Sequence, residues 1–210
     1  MKQSFTVLAA PPPFRYSSGV TSSFDKTALR LRMRGLRPRL AAEAPNAAAR
    51  AAGHLPLDRL PPFETAALYY AQGSELDPTP LAQRLTQARK AVALPAAVSG
   101  EGRLQFRSWT PGEALEPDAV GVPAPPATAA GVTPQLVIAP LLAFDRKGGR
   151  LGQGGGHYDR TVENLRAHGA VFVVGLAFAG QQVDEIPMEP HDQPLDAILT
   201  EVGYIGLRRD

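Results

Sequence analysis

The sequence predicts a single α/β domain of three layers, a mainly parallel sheet flanked by helices. Three observations lead there. Short apolar runs recur along the chain, as in Ala66-Ala67-Leu68-Tyr69-Tyr70 and Leu136-Val137-Ile138-Ala139, and they have strand length rather than helix length. Segments of helical period separate them, the alternation expected of a layered α/β domain. The last unit runs strand, glycine-rich loop, helix, apolar strand, the order of a right-handed parallel crossover. Composition agrees with one domain, since 210 residues can bury a substantial core.

Residues 1–24 are rich in Pro, Ser and Gly and read as a loosely held tail, leaving 25–210 as the folded domain. Ser23 is placed to cap a helix from about Asp25. Leu29, Met33, Leu36 and Leu40 make its apolar stripe. Lys26, Arg30 and Arg37 form a cationic stripe beside it, with Arg34 slightly further round. Pro38 and Pro45 predict that the helix ends or kinks there. A buried strand over 66–70, the turn Gly73-Ser74, a helix through Leu81, Leu85 and Ala88, and a strand over 91–95 follow. Leu104 to Trp109 alternates like an edge or hairpin strand. Residues 111–134, dense in Pro, Gly and Ala, read as a long surface connection. A strand over 135–140, a loop over 148–156, a helix from His157 to His168 stopped by Gly169, and a strand over 170–178 complete the pattern.

Much is excluded by composition. Cys is absent, which removes disulfide frameworks, Cys-ligated zinc, iron–sulfur clusters and thiol catalysis. Lys plus Arg is 22 against 20 for Asp plus Glu, so no nucleic-acid partner is expected. No run reaches the roughly 18 apolar residues of a membrane span, and Met1 to Ala10 makes no secretory segment. The expectation is a soluble cytoplasmic protein without a membrane partner.

The loop Arg150-Leu151-Gly152-Gln153-Gly154-Gly155-Gly156-His157-Tyr158-Asp159-Arg160 carries the most chemistry. Four glycines in five positions, between a buried strand and a helix N-terminus, let backbone N–H groups converge on an anion, so a phosphate loop is predicted. It is neither a Walker A loop, which needs Lys then Ser or Thr after the glycine, nor a dinucleotide fingerprint, which needs Gly in place of His157. Asp159, in the first helical turn, either meets a divalent cation beside the phosphates or answers the helix dipole. Asp192 either joins that ion or is a solvated loop carboxylate. Lys26 and Arg30, four residues apart, reach one phosphate tail or form a solvated face. Glu75 lies at the carboxyl end of a strand, where α/β sheets bind ligands, or is a plain turn carboxylate. Trp109 and Phe106 offer a surface to a flat ring or pack in the core.

Together these residues resemble 5-formyltetrahydrofolate cyclo-ligases, also called 5,10-methenyltetrahydrofolate synthetases. The resemblance rests on Pro140-Leu141-Leu142-Ala143-Phe144-Asp145 followed by Gly149 to Arg160. It extends to Lys26-Thr27-Ala28-Leu29-Arg30, Gly73-Ser74-Glu75, Val92-Ala93-Leu94-Pro95 and Pro190-His191-Asp192, across about residues 25–205. It implies ATP-dependent closure of 5-formyltetrahydrofolate to the 5,10-methenyl compound, with ADP and phosphate released, by a monomer using Mg²⁺. Lys26 and Arg30 would then hold ATP phosphates. Arg150, Leu151, Gly152, Gln153, Gly154, Gly155, Gly156, His157 and Tyr158 would form the nucleotide loop, with Arg150, Gly154 and Tyr158 at the reacting groups. Glu75, Trp109, Gly154, His157 and Tyr158 would touch the folate, and Asp159 and Asp192 would bind Mg²⁺. Two departures stand out: His157, where the family usually has Tyr or Phe, and Val122-Pro123-Ala124-Pro125-Pro126 in place of the usual Glu-Pro. A non-catalytic folate or nucleotide binder and a phosphosugar isomerase-like or acyl-transfer enzyme are the alternatives.

Overall fold

A computed structural model describes residues 22–207. The tail expected over residues 1–24 therefore lies, up to residue 21, outside the described residues. Helix α1 (Ser22–Glu43) starts before the expected boundary, so Ser23 is inside it rather than at its cap. The helix also runs through Pro38 instead of ending there. Pro38 is on the exposed side, where the carbonyl it leaves unbonded can meet water.

The remaining elements follow the expected order with additions. They are α2 (Ala47–His54), β1 (Thr65–Ala67), α3 (Thr79–Gln87), β2 (Ala91–Ala97), β3 (Leu104–Ser108), β4 (Glu116–Pro117) and β5 (Pro123–Ala124). Then come β6 (Leu136–Pro140), β7 (Ala143–Phe144), β8 (Arg150–Leu151), α4 (His157–His168), β9 (Phe172–Leu176), β10 (Ala197–Thr200) and β11 (Gly203–Gly206). The main sheet has seven strands in the order β11-β10-β9-β6-β1-β2-β3. β10, β9, β6, β1 and β2 run parallel, and β3 and β11 close the edges antiparallel. Helix α2 and the final pair β10–β11 have no counterpart in the sequence reading.

Strand alternation sorts side chains to two faces. In β6, Leu136 and Ile138 join a core with Ala51 of α2, Leu55 just beyond its end, and Leu81 and Leu85 of α3. Val137 and Ala139 point the other way and pack with Val162 of α4. This makes the three layers. Leu29 and Met33 of α1 pack apart from both, on Leu142, Ala143, Leu151 and Ile186 around the β7–β8 hairpin. Gly169 ends α4 as expected, its N–H donating to the Leu165 carbonyl at 3.0 Å. No helix among the described residues is long and apolar enough to cross a membrane.

Candidate active site

The chain leaves β1 through α3 on one face of the sheet and leaves the adjacent β6 through α4 on the other. Opposed crossovers open a crevice at the carboxyl ends of the two strands. A cleft of about 460 Å³ lies there. Tyr69, Tyr70 and Glu75 line it from beyond β1, Pro95 and Ala97 from β2, and Pro140 and Leu141 from the end of β6. The glycine-rich loop and Lys26, Arg30 and Arg37 of α1 complete the wall.

Asp145 sets the start of the loop. Its carboxylate is 1% exposed and accepts three backbone N–H groups, from Lys147, Gly149 and Ile186, each at 2.8 Å. The hairpin it fixes delivers Arg150 into the cleft. Beyond Leu151 the backbone takes left-handed φ values at Gly154 (+108°) and Gly156 (+65°), a region that glycine enters without a Cβ clash. Arg30 Nε donates to the Gly152 carbonyl at 3.0 Å, and Arg34 Nε to Gln153 Oε1 at 2.9 Å, so α1 holds one side of the loop. On the other side Arg160 donates to the carbonyls of Gly102 (2.8 Å) and Gly155 (2.7 Å). His157 Nδ1 lies 3.1 Å from the same Gly102 carbonyl. A carbonyl only accepts, so this contact puts the proton on Nδ1 and leaves Nε2 as the acceptor of the neutral ring. Among the described residues no side chain caps the N-terminus of α4, which opens at this loop.

The charges are arranged in pairs. Arg150 donates to Asp159 Oδ1 at 2.7 Å, with 5% of its side chain exposed. Its guanidinium carbon lies 5.5 Å from the centre of the Tyr158 ring. The Tyr158 hydroxyl is buried with no hydrogen-bond partner among the described residues. Burial pushes its pKa up; Arg150 pulls it back and Glu75 adds to the rise, so the phenol stays a donor at neutral pH. Lys26 donates to Asp192 Oδ2 at 2.6 Å and Glu189 Oε2 at 2.8 Å. Burial alone would lower Lys26, but bonds to both carboxylates outweigh it and its pKa is raised. Asp192 is lowered: burial acts against its charge, and Lys26 and the Glu189 N–H outweigh burial.

Lys26, Arg30, Glu75, Arg150 to Asp159 and Asp192 are therefore brought to one cleft. Trp109 is not. It packs, half-buried, against the main core and donates from Nε1 to the Glu113 carbonyl at 3.3 Å. Just past the end of β3, Trp109 does not line this cleft, where the sequence reading expected it to meet a bound ring. Phe106 is likewise core. Exposed Tyr70 and Val120 line the cleft instead. Val120 belongs to a turn built on Asp118, whose Oδ1 accepts the N–H groups of Val120 and Val122, each at 2.9 Å. The connection read as mere surface thus supplies a wall. The sequence reading also missed the cleft roles of Arg37, Tyr69 and Glu189; only the cationic stripe of α1 hinted at the first.

A divalent cation fits these residues. Asp159 Oδ1 also accepts the N–H of Gln193 at 3.1 Å, which puts Asp159 against the segment carrying Asp192. Asp159 Oδ2 accepts no hydrogen bond among the described residues, and Asp192 Oδ1 accepts none either, with His191 Nε2 3.8 Å away. Ligand atoms of Glu189, His191 and Asp192 lie within 4.8 Å of one another, though Lys26 already neutralises two of these groups.

Comparison with known proteins bears on the family and the fold. The model of the 5-formyltetrahydrofolate cyclo-ligase family matches residues 22–201. The chain is 37% identical over 141 residues to the 5-formyltetrahydrofolate cyclo-ligase of Escherichia coli K12, covering 65% of this chain and 77% of the relative. With that of Haemophilus influenzae it is 36% identical over 138 residues, 63% and 73% of the two chains. Among solved structures, Aquifex aeolicus 5,10-methenyltetrahydrofolate synthetase superposes with a TM-score of 0.71 at 26% identity, over 88% of this chain and 94% of that one. The Mycoplasma pneumoniae synthetase shares the fold with a TM-score of 0.65 at 22% identity, over 84% and 99%.

Proposed function

The chain belongs to the 5-formyltetrahydrofolate cyclo-ligase family, and from that premise we propose how its cleft performs the family's reaction. The reaction is the ATP-dependent cyclisation of 5-formyltetrahydrofolate to 5,10-methenyltetrahydrofolate, with release of ADP and phosphate. The formyl oxygen attacks the γ-phosphorus of ATP, and the bond to ADP breaks. The resulting iminium phosphate is attacked at carbon by the neighbouring folate amine, which loses its proton as phosphate leaves. The attacking oxygen belongs to an amide and carries no proton, so the phosphoryl step needs no general base. Positioning and charge neutralisation supply the catalysis.

Lys26 and Arg30 hold the ATP phosphates, and residues 150–158 wrap them with main-chain N–H groups and the N-terminus of α4. Arg150, kept in place by Asp159, faces the charge that develops on the transferred phosphoryl group. The unpartnered Tyr158 hydroxyl donates to the bound reactants. Glu75 accepts from the N–H edge of the pterin. Tyr70 and Val120, rather than Trp109, offer apolar surface to the folate. Asp159 and Asp192 are the carboxylates we assign to Mg²⁺, which when bound supplies positive charge to the phosphate oxygens. One observation carries the reading: a single cleft is lined by the glycine-rich loop, by the cations Lys26, Arg30, Arg37 and Arg150, and by Glu75. The test is the near-UV band of the methenyl product. It should grow when protein, 5-formyltetrahydrofolate and Mg-ATP are mixed and stay absent without ATP; binding without a band would leave only a folate- or nucleotide-binding relative.

Lys26→Met should raise the KM for ATP at least about tenfold, the loss of one charge-assisted hydrogen bond, with the folate KM unchanged. The same variant should show a pH-dependent stability gap in metal-free protein. The lowered Asp192 contributes above the ordinary carboxylate pKa of about 3.9 and loses that contribution as pH falls through its lowered value. The raised Lys26 contributes below the ordinary lysine pKa of about 10.4 and loses it as pH rises through its raised value. Thermal unfolding of wild type and variant should therefore differ most between about pH 4 and 10 and converge outside that range.

A further inference from the structure

Arg37 is one of the most deeply buried charges near the cleft, 7% exposed, and no role assigned above uses it. It comes from α1, three residues beyond Arg34, and continues the stripe that begins with Lys26 and Arg30. Its NH1 lies 3.3 Å from Glu75 Oε1, and its Nε donates to Ser74 Oγ at 3.2 Å. The other Glu75 oxygen accepts the Gln72 N–H at 3.0 Å. Only 9% of the Arg37 side chain and 11% of the Glu75 side chain are exposed, so the pair is little screened by water. Tyr69, under the same turn, donates from its hydroxyl to the Leu76 carbonyl.

We infer that Arg37 is a positioning residue for folate recognition: it fixes the direction of the Glu75 carboxylate. The inference rests on the assignment of Glu75 to the pterin. Glu75 sits on a turn that includes Gly73 at φ +59°, and a glutamate there has three side-chain torsions to settle. A planar guanidinium donating to both Ser74 and Glu75 settles them before substrate arrives. The protein contacts engage one lone pair on each carboxylate oxygen and leave the others for neighbouring N–H donors. Through Arg37, the helix that supplies cations to the nucleotide side of the cleft also holds the acceptor on the folate side. Removing Arg37 leaves Glu75 a buried carboxylate without its countercharge, free to turn away.

The test is a double-mutant cycle read in KM for 5-formyltetrahydrofolate and for ATP separately. Arg37→Gln should raise the folate KM about tenfold, the loss of one charge-assisted bond, with the ATP KM and kcat near wild type. Glu75→Gln should act on the same parameter. The double variant should be no worse than Glu75→Gln alone, because Arg37 acts through Glu75. Arg37→Lys, which keeps the charge but not the fork, should fall between wild type and Arg37→Gln, and it carries the test if Arg37→Gln does not fold. If the Arg37 variants raise the ATP KM instead, or their effect multiplies with that of Glu75→Gln, Arg37 does not work through Glu75 and the inference fails alone. If Glu75→Gln leaves the folate KM at its wild-type value, the pterin assignment of Glu75 fails and takes this inference with it.

Discussion

Asp159→Ala is expected to lower kcat for methenyl formation at least about a thousandfold, the scale of losing an arginine that stabilises phosphoryl transfer, in a protein that still folds. Two losses coincide. Asp159 Oδ1 holds Arg150 at 2.7 Å and the Gln193 N–H at 3.1 Å, and alanine removes both acceptors. Its other oxygen, which accepts no hydrogen bond among the described residues, is the one assigned to Mg²⁺. Asp159→Asn separates the contributions. The amide oxygen can still accept from Arg150 and Gln193, but it brings no charge to a cation. If Asp159 only steadies Arg150, the Asn variant should recover most of the rate; if it also binds the metal, turnover should stay low and need more Mg²⁺. An Asn variant with wild-type turnover and wild-type Mg²⁺ dependence would discard the metal assignment while leaving Arg150 in place. The thermal unfolding midpoint should fall in the Ala variant, because Arg150, with 5% of its side chain exposed, loses its carboxylate partner, and should move less in the Asn variant, whose amide oxygen still accepts from it.

The parts of this molecule that could be read from sequence are those where residue type and backbone requirement coincide. Glycines at left-handed positions, a first-turn acid and a terminal Gly169 marked the loop and both ends of α4. The short apolar run of β6 marked it as a strand, and its four buried residues fill both faces of the sheet. Helix α2 was hidden because its run of alanines shows no apolar stripe; its helical face emerges only when Ala47, Ala51 and Ala52 pack against neighbours. The pair β10–β11 had a signal that was passed over, the apolar Ala197-Ile198-Leu199 ahead of Gly203. Contacts between distant segments were the least legible. Lys26 meets Asp192 across 166 positions and Arg37 meets Glu75 across 38. A charge on a helix face is solvated or paired according to what the topology brings opposite. Trp109 shows the converse: a large aromatic promises a buried surface but does not say against what.

Gly149→Ala should cost about 3 kcal/mol of stability, the scale of disrupting a buried polar network, and lower Tm by about 6–12 °C. The reason is space rather than backbone angle. A Cβ on Gly149 would stand 2.4 Å from Asp145 Oδ2 and 2.9 Å from its carboxyl carbon. That carboxylate cannot retreat, because three backbone N–H groups depend on it and it is 1% exposed. Turnover should fall with stability, since Gly149 immediately precedes Arg150 and the hairpin aims the guanidinium into the cleft. Gly35→Ala is the control. Gly35 is exposed in the middle of α1, and a Cβ there meets nothing within 4 Å. It should gain about 0.5–1 kcal/mol from helix propensity and keep full activity. Combining Asp145→Ala with Gly149→Ala isolates the cause. The double variant relieves the clash but strands the same N–H groups, so it should be about as unstable as Asp145→Ala alone. Fully additive losses in unfolding free energy would show that the Gly149 substitution acts through something other than this carboxylate.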